Sequence, residues 1–358
     1  MSLVELPELQ QPPVLLETLQ DIAEKVKIDF SDFSVEHPDY KPSCYPGEVV
    51  ARFKKLPDKL QTNLLQSHLQ SFLYGIYYNA SLRSQIAETD APPVLHENTH
   101  IMGLDPTFYG QLHENNRGQG YFDPGWVVLK QEDDGTLAVR RTTLTVHIDR
   151  SKHLSESERE ARVGDTVSIL MPRNLVQNGF YMAVGNSGIH FHGADLVRIY
   201  VNVTPKGAIV LMRQLTEQLN ARSIPFTFKL LYDPKNYTRF DSGVLYFSGS
   251  NYEAVRSVMQ DIYCADSSYF QSDIPLFTKP LAPGIALAEE PNQKFAERES
   301  FGLNRCHIIA SAMVATHQQG NDSVQARVDA IVENFALLGL SIDRPYLNPG
   351  SDDIYLPL

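Results

Sequence analysis

The chain has 358 residues, 42% of them hydrophobic, and a formal net charge of −12. That length suits one large or two ordinary domains with a real core. The acidic balance excludes a general nucleic-acid binder, whose affinity would come from a basic surface. No segment approaches the ~20 continuous apolar residues of a membrane span, so no membrane partner is expected.

The N-terminal stretch MSLVELPELQQPP lacks the basic and apolar regions of a secretory signal. Cys44, Cys264 and Cys306 are odd in number and have no metal-ligand spacing. They fit free thiols in a cytoplasmic protein, and a leaderless or injected export route would look the same.

Residues 1–114 are read as a mainly helical N-terminal region. Its clearest helix runs from Pro57 to Tyr78, with Leu60, Leu64, Leu65, Leu69, Phe72, Leu73 and Ile76 on one face. Pro42, Pro46, Pro92 and Pro93 bracket loops around it, and Tyr74, Tyr77 and Tyr78 are read as core or lid packing. The texture changes at Asn115, where ENNRGQGYFDPGW supplies turn residues and close backbone approach. Residues 115–358 form the second unit. In GWVVLKQEDDGTLAVRRTTLTVHI the Asp134-Gly135 turn joins two β-like runs. An exposed, charged connector follows over residues 151–166. VSILMPRNLVQNGFYMAVG reads as strand material.

His190 and His192, in SGIHFHGADL, share a face if that segment is a strand. No third ligand has a recognised spacing, so no metal is expected, and both are candidates for proton transfer near neutral pH. The next run, VRIYVNV, alternates Val197, Ile199, Val201 and Val203 against Arg198, Tyr200 and Asn202. Thr204 caps a helix with Pro205 at its first position and Ala208, Leu211, Met212, Leu215 and Leu219 as the apolar stripe. The two strands after it place Lys229 and Arg239 on either side of DPKNYT. Asn251 starts a helix with Tyr252, Val255, Val258, Met259 and Ile262 inward. The Pro-rich DIPLFTKPLAPGIALAEEP reads as an irregular segment wrapped over the sheet. A helix then carries Arg305 in its first turns, and a final one runs from an Asp322 cap to Gly339, its stripe including Val324, Val328, Ile331 and Phe335.

There is no phosphate-loop, nucleophile-elbow or zinc-helix motif. Arg198, Tyr200, Lys229, Arg239 and Arg305 remain: four cations and a phenol, suited to an anionic leaving group because guanidinium forks match phosphate oxygens. β-Elimination of phosphate from phospho-Ser or phospho-Thr needs a base, an acid and cations, with no cofactor. The competing expectation is that these cations pair with Asp233, Asp241, Glu289 and Glu290.

NNRGQGYFDPGW, GFYMAVG, RIYVNVTPKGA, FTFKLLYDPKNYTRFDSGVLYF, PLFTKPLAPGIALAEEP and ESFGLNRC, in that order, resemble the HopA-type type III effector family. That family includes HopA-like proteins encoded with class V lanthipeptide and thioamitide pathways, and is distantly similar to phosphothreonine lyases. The resemblance runs from Asn115 to Ala315. It implies an α+β fold, a mixed or antiparallel sheet with packed helices, that eliminates phosphate to leave dehydroalanine or dehydrobutyrine. The lyases' Lys-x-His pair corresponds to Arg198 and Tyr200 here, and a guanidinium is a poor base. The resemblance makes Arg198, Lys229, Arg239 and Arg305 the phosphate-binding set and Tyr200 the acid, and leaves the base to Lys229, His190 or His192. The implied partners are a phosphorylated precursor peptide and a separate Ser/Thr peptide kinase. A non-catalytic effector or phosphopeptide binder, secreted by a type III system, is the alternative.

Overall fold

The computed structural model describes residues 12–83, 104–189 and 195–358. His190 and His192 lie outside the described residues. The fold is α+β, with three antiparallel sheets and packed helices.

Helix α1 (Pro12–Lys25) leads into a three-stranded sheet of β1 (Lys27–Asp29), β2 (Ser34–His37) and β3 (Tyr40–Ser43). The strands are three or four residues long, too short for a visible alternation, and so the helical reading of this region overlooked them. After α2 (Gly47–Phe53), α3 (Asp58–Leu73) passes into a π-helical turn at Tyr74–Tyr78. Its stripe is inward from Leu65 to Ile76, whereas Leu60 is exposed. Helix α4 (Pro106–Asn115) follows, capped by Asp105.

A four-stranded sheet comes next: β4 (Tyr121–Gln131), β5 (Leu137–Arg141), β6 (Leu144–Ile148) and, after the short helix α5 (Arg150–His153), β7 (Thr166–Met171). Its order is β6-β5-β4-β7, so β6 and β7 are its edges. Gly135, at positive φ, makes the expected turn. The second run divides again at Thr142, also at positive φ, giving three strands where two were expected. This sheet has a small core of its own: Trp126, Val128, Leu137, Val139, Ile148, Leu154, Val167 and Ile169.

The seven-stranded sheet carries the rest. Its strands are β8 (Asn174–Gln177), β9 (Phe180–Val184), β10 (Leu196–Val201), β11 (Thr227–Leu231), β12 (Gly243–Ser248), β13 (Lys279–Ala282) and β14 (Ile285–Glu289), in the order β13-β14-β10-β12-β11-β9-β8. Every described pairing is antiparallel. The segment read as an irregular wrap is in fact the β13–β14 hairpin. Pro280 is tolerated because β13 is an edge strand, where a missing N–H costs no ladder bond.

Helix α6 (Pro205–Ala221) forms as its sequence dictates. Thr204 accepts from Gly207 N–H, Pro205 occupies the first turn, and the stripe of Ala208, Leu211, Met212, Leu215 and Leu219 is buried. Helix α7 (Tyr252–Ala265) buries the five positions expected of it. Helix α8 (Phe301–Gln318) is capped by Ser300, and α9 (Val324–Leu337) by Ser323 rather than Asp322. Asp322 instead pairs with Arg327, which donates to the carbonyls of Ala23 and Val26 and so ties α9 to α1. Val324 is exposed; Ile331 and Phe335 are the buried pair of that stripe. The main core runs without interruption from Leu19 through Leu112 to Tyr355, with the N-terminal helices packed on the same sheet as the C-terminal ones.

Candidate anion-binding site

Register fixes which side chains share a face. Arg198 pairs with Tyr246, which pairs with Thr227; Tyr200 pairs with Val244, Val244 with Lys229 and Lys229 with Met182. Residues opposite one another across a ladder, or two apart along a strand, project from the same side. Phe180, Met182, Lys229, Tyr246, Arg198 and Tyr200 therefore lie on one face of four neighbouring strands. The opposite face carries Ile199, Leu245 and Phe228, all fully buried.

This face has a roofed half and an open half. Over β10 it is covered: Tyr200 is 3% exposed, with the rings of Tyr78 and Phe301 against it at 6.3 and 6.4 Å. Over β9, β11 and β12 the side chains of Phe180, Met182, Lys229 and Tyr246 are half-buried.

Two aromatic rings link the cations across the boundary. Lys229 Nζ lies 4.6 Å from the Phe180 ring centre and 5.4 Å from that of Tyr246. Arg198 lies over the same Tyr246 ring at 5.1 Å, and Arg239 over the same Phe180 ring at 5.7 Å. The sequence Arg239, Phe180, Lys229, Tyr246, Arg198 is thus one ladder of alternating cations and rings. Each such contact is worth about 0.5–2 kcal/mol, more where water is excluded.

The two arginines are anchored from behind. Arg239 gives both Nε and Nη2 to Asp241, at 2.9 and 3.0 Å, and Asp241 also accepts from Asn79 and Tyr74. Burial works against the Arg239 charge, and Asp241 beside it outweighs that and raises its pKa. Arg198 pairs with Glu290, whose other oxygen is held by Lys294. Burial opposes its charge as well, and Tyr200, Tyr246 and Glu290 together reverse the shift upward. The expected pairing of cations with Asp241 and Glu290 is therefore present. Glu289 is taken by Tyr355 and by the amide of Asn348, and Asp233 caps a short turn through Lys235 N–H. Among the described residues no carboxylate pairs with Lys229.

Tyr200 is pushed up to about 12 by burial, partly offset by Arg198. It is a protonated phenol at neutral pH, buried beside the Tyr78 hydroxyl and the Arg198 guanidinium, with no well-aligned hydrogen bond among the described residues. Arg305 is 1% exposed and lies in α8 over the Phe301 ring. It donates to the carbonyls of Pro345 and Leu347 and to Asn304 Oδ1. Burial brings its pKa down to about 10, so it remains a cation holding the 345–347 backbone. The structure thus brings Arg198, Lys229 and Arg239 into one array, with Tyr200 beneath it and Arg305 committed to the roof. Phe180 and Tyr246, which organise the array, were not singled out in the sequence. The alternation in GFYMAVG and GVLYF was the available signal, but only strand register shows that these rings flank Lys229.

No group of three or more potential metal ligands occurs among the described residues. No helix among them is long and apolar enough to cross a membrane.

The model of the HopA1 effector protein family matches residues 171–347, a span that holds all five ladder positions as well as Tyr200 and Arg305. No curated protein matches the chain. Similar solved structures include two effector proteins. An effector protein from Pseudomonas syringae pv. tomato strain DC3000 is 17% identical, with a TM-score of 0.43 over 78% of this chain and 90% of that one. An effector protein from Pseudomonas syringae pv. syringae strain 61 is 16% identical, with a TM-score of 0.43 over 82% of this chain and 99% of the other.

Proposed function

The chain belongs, through residues 171–347, to the HopA1 effector protein family, and on that premise we propose that the open half of its sheet binds a phosphorylated Ser or Thr peptide and eliminates the phosphate. The observation that carries this reading is Lys229, seated between two rings and between two anchored arginines, with no carboxylate pairing with it among the described residues. An amine can exchange a proton where a guanidinium cannot. Lys229 takes the α-proton; the electron pair forms the Cα–Cβ double bond, the Cβ–O bond breaks, and phosphate departs. Arg239 is the phosphate clamp, because its side chain is 22% exposed and Asp241 presets its orientation. Arg198, buried behind Tyr246, contributes a fixed positive field rather than a contact. The product is dehydroalanine from phosphoserine or dehydrobutyrine from phosphothreonine. A separate kinase supplies the substrate, and delivery through a type III system fits an effector family.

A second reading, recognition of the phosphopeptide without elimination, is favoured by one observation. The strand positions where a base and an acid are expected hold Arg198 and Tyr200, both under the roof. Incubation with phosphoserine and phosphothreonine peptides, followed by mass spectrometry, separates the two. Loss of phosphoric acid with the wild type, and not with Lys229→Ala, supports the lyase. Intact phosphopeptides that bind the wild type and not Lys229→Ala support recognition alone. Phosphopeptides that neither bind nor react reject both.

A further inference from the structure

The N-terminal region reaches the anion-binding site through one irregular turn. Helix α3 widens after Leu73 into the π-helical turn Tyr74–Tyr78, closed by Asn79 N–H donating to the Tyr74 carbonyl at 3.1 Å. Ala80 follows at φ 60°, a left-handed conformation that costs a residue with a Cβ about 1–2 kcal/mol. A helix can end without either departure, with a glycine in the left-handed position. Two unfavourable features in succession persist only where the surroundings impose them, and such features gather at functional sites.

The surroundings here are the loop that carries Arg239. Asn79 is fully buried and meets that loop twice. Its carbonyl accepts from Phe240 N–H at 3.1 Å, and its Nδ2 donates to Asp241 Oδ2 at 3.2 Å. Its Oδ1 accepts from Ser81 N–H, so the amide is held from both ends. Tyr74 donates its hydroxyl to the same Asp241 Oδ2 at 3.4 Å. Burial, with the Asp241 charge beside it, pushes that phenol well above its usual range and keeps it a donor. The Tyr74 ring is stacked on Tyr78 at 5.0 Å, and Tyr78 lies against Gly302 of α8, where a Cβ would stand 2.4 Å from the ring. The turn is wedged between the roof and the Arg239 loop. Asp241 Oδ2 accepts from Arg239, Tyr74 and Asn79 together, so the carboxylate is not free to rotate. Its pairing with Arg239 uses Nε and Nη2 and leaves Nη1 without a partner among the described residues.

Building on Arg239 as the phosphate clamp, we propose that Asn79 and Tyr74 are positioning residues of the anion site. The π-helical turn holds Asp241, Asp241 aims the Arg239 fork, and the N-terminal region thereby sets how tightly phosphate is bound. A planar fork makes two parallel bonds to phosphate only in one orientation, so any freedom given to Asp241 is felt as lost affinity. Coupling of this kind is reciprocal, and phosphate in the site tightens the turn in return.

Inorganic phosphate is titrated calorimetrically into the full chain as wild type, Tyr74→Phe, Asn79→Ala, Arg239→Ala and the two double variants with Arg239→Ala. Tyr74→Phe is expected to raise the phosphate Kd about threefold and Asn79→Ala about tenfold. Neither should weaken binding further once Arg239 is alanine, which separates action through Arg239 from a general loosening of the fold. Tyr74→Phe removes a single oxygen and carries the test where Asn79→Ala does not fold. A second readout needs no ligand. The Arg239 Nε–H resonance, identified by its absence in Arg239→Ala, should exchange faster with water in Tyr74→Phe, and that of Arg198 should not change. Equal phosphate affinity in Tyr74→Phe, an unchanged Arg239 resonance, or effects that persist undiminished beside Arg239→Ala would overturn the positioning role. A wild type that takes up no phosphate, or whose uptake Arg239→Ala does not weaken, fails the clamp itself and this role with it.

Discussion

Arg305, in the helix that roofs one half of the sheet face, and Lys229, on the open half, are treated oppositely. Under the roof, Arg305 has three oxygen acceptors from the chain itself and almost no exposure. On the open half, Lys229 has two ring faces, and no carboxylate pairs with it among the described residues. A buried cation must be fully satisfied by the protein or the fold cannot bear its desolvation. A half-buried one can keep its hydrogen-bonding capacity for a ligand. The difference separates a cation that the fold itself satisfies from one that it leaves available to a ligand.

The largest effect is expected from the roof. Arg305→Met strands two carbonyls and Asn304, and should destabilise the protein by about 3–5 kcal/mol, read from the urea midpoint. A shift below 1 kcal/mol would show that Arg305 is not structural, and the two halves would no longer differ. Next comes Lys229→Ala, expected to lower elimination at least ~100-fold, or about 2.7 kcal/mol of barrier. Its stability should move by about 1–2 kcal/mol, the low end for two half-exposed ring contacts and well below the effect at the roof. A large loss of stability with normal turnover would reverse the assignment.

Asp241→Asn tests the hinge between the halves. Loosening Arg239 should raise the phosphopeptide Kd roughly tenfold (about 1.4 kcal/mol) while leaving Arg198 untouched. Equal affinity would remove Arg239 from the site. The smallest effect belongs to Tyr200→Phe at pH 7, where deleting a neutral hydroxyl with no well-aligned hydrogen bond among the described residues should change stability by less than about 1 kcal/mol.

The same variant carries a pH signature. The folded Tyr200 pKa lies at about 12, above the unfolded value of about 10. Between those values the unfolded chain has released the proton and the folded chain has not. Its contribution is therefore complete below pH 10 and is lost as the pH rises toward 12. Thermal denaturation in alkaline buffers should show a shallower decline for Tyr200→Phe than for the wild type. Parallel curves would mean that the Tyr200 proton is no more tightly held when folded.

Local signals were legible and non-local ones were not. Thr204-Pro205 and the stripe behind it specified α6 because a helix is written in contiguous residues. The cation positions were visible too, although Lys229 lies on β11 and Arg239 inside the connection to β12 rather than on the second strand. The depth of each cation was hidden. Arg198 is buried because β14 and β12 flank β10 on either side and the roof covers its face, and β14 lay inside a proline-rich stretch whose composition argues against a strand. Arg305 is buried by a C-terminal segment about 40 residues further on, a contact that no periodicity encodes. The rings of Phe180 and Tyr246 meet at Lys229 only through strand register, which is set by pairing across the sheet.

The sequence contains one tryptophan, and Trp126 lies in the small core, its indole N–H held by Asp123. Tryptophan emission is therefore a local thermometer of the four-stranded sheet, blind to the sheet that carries the cations. Far-ultraviolet circular dichroism weights the helices of the main body instead. Melting curves from the two probes that separate would show the smaller sheet opening as its own cooperative unit. Coincident curves would show the two cores melting as one.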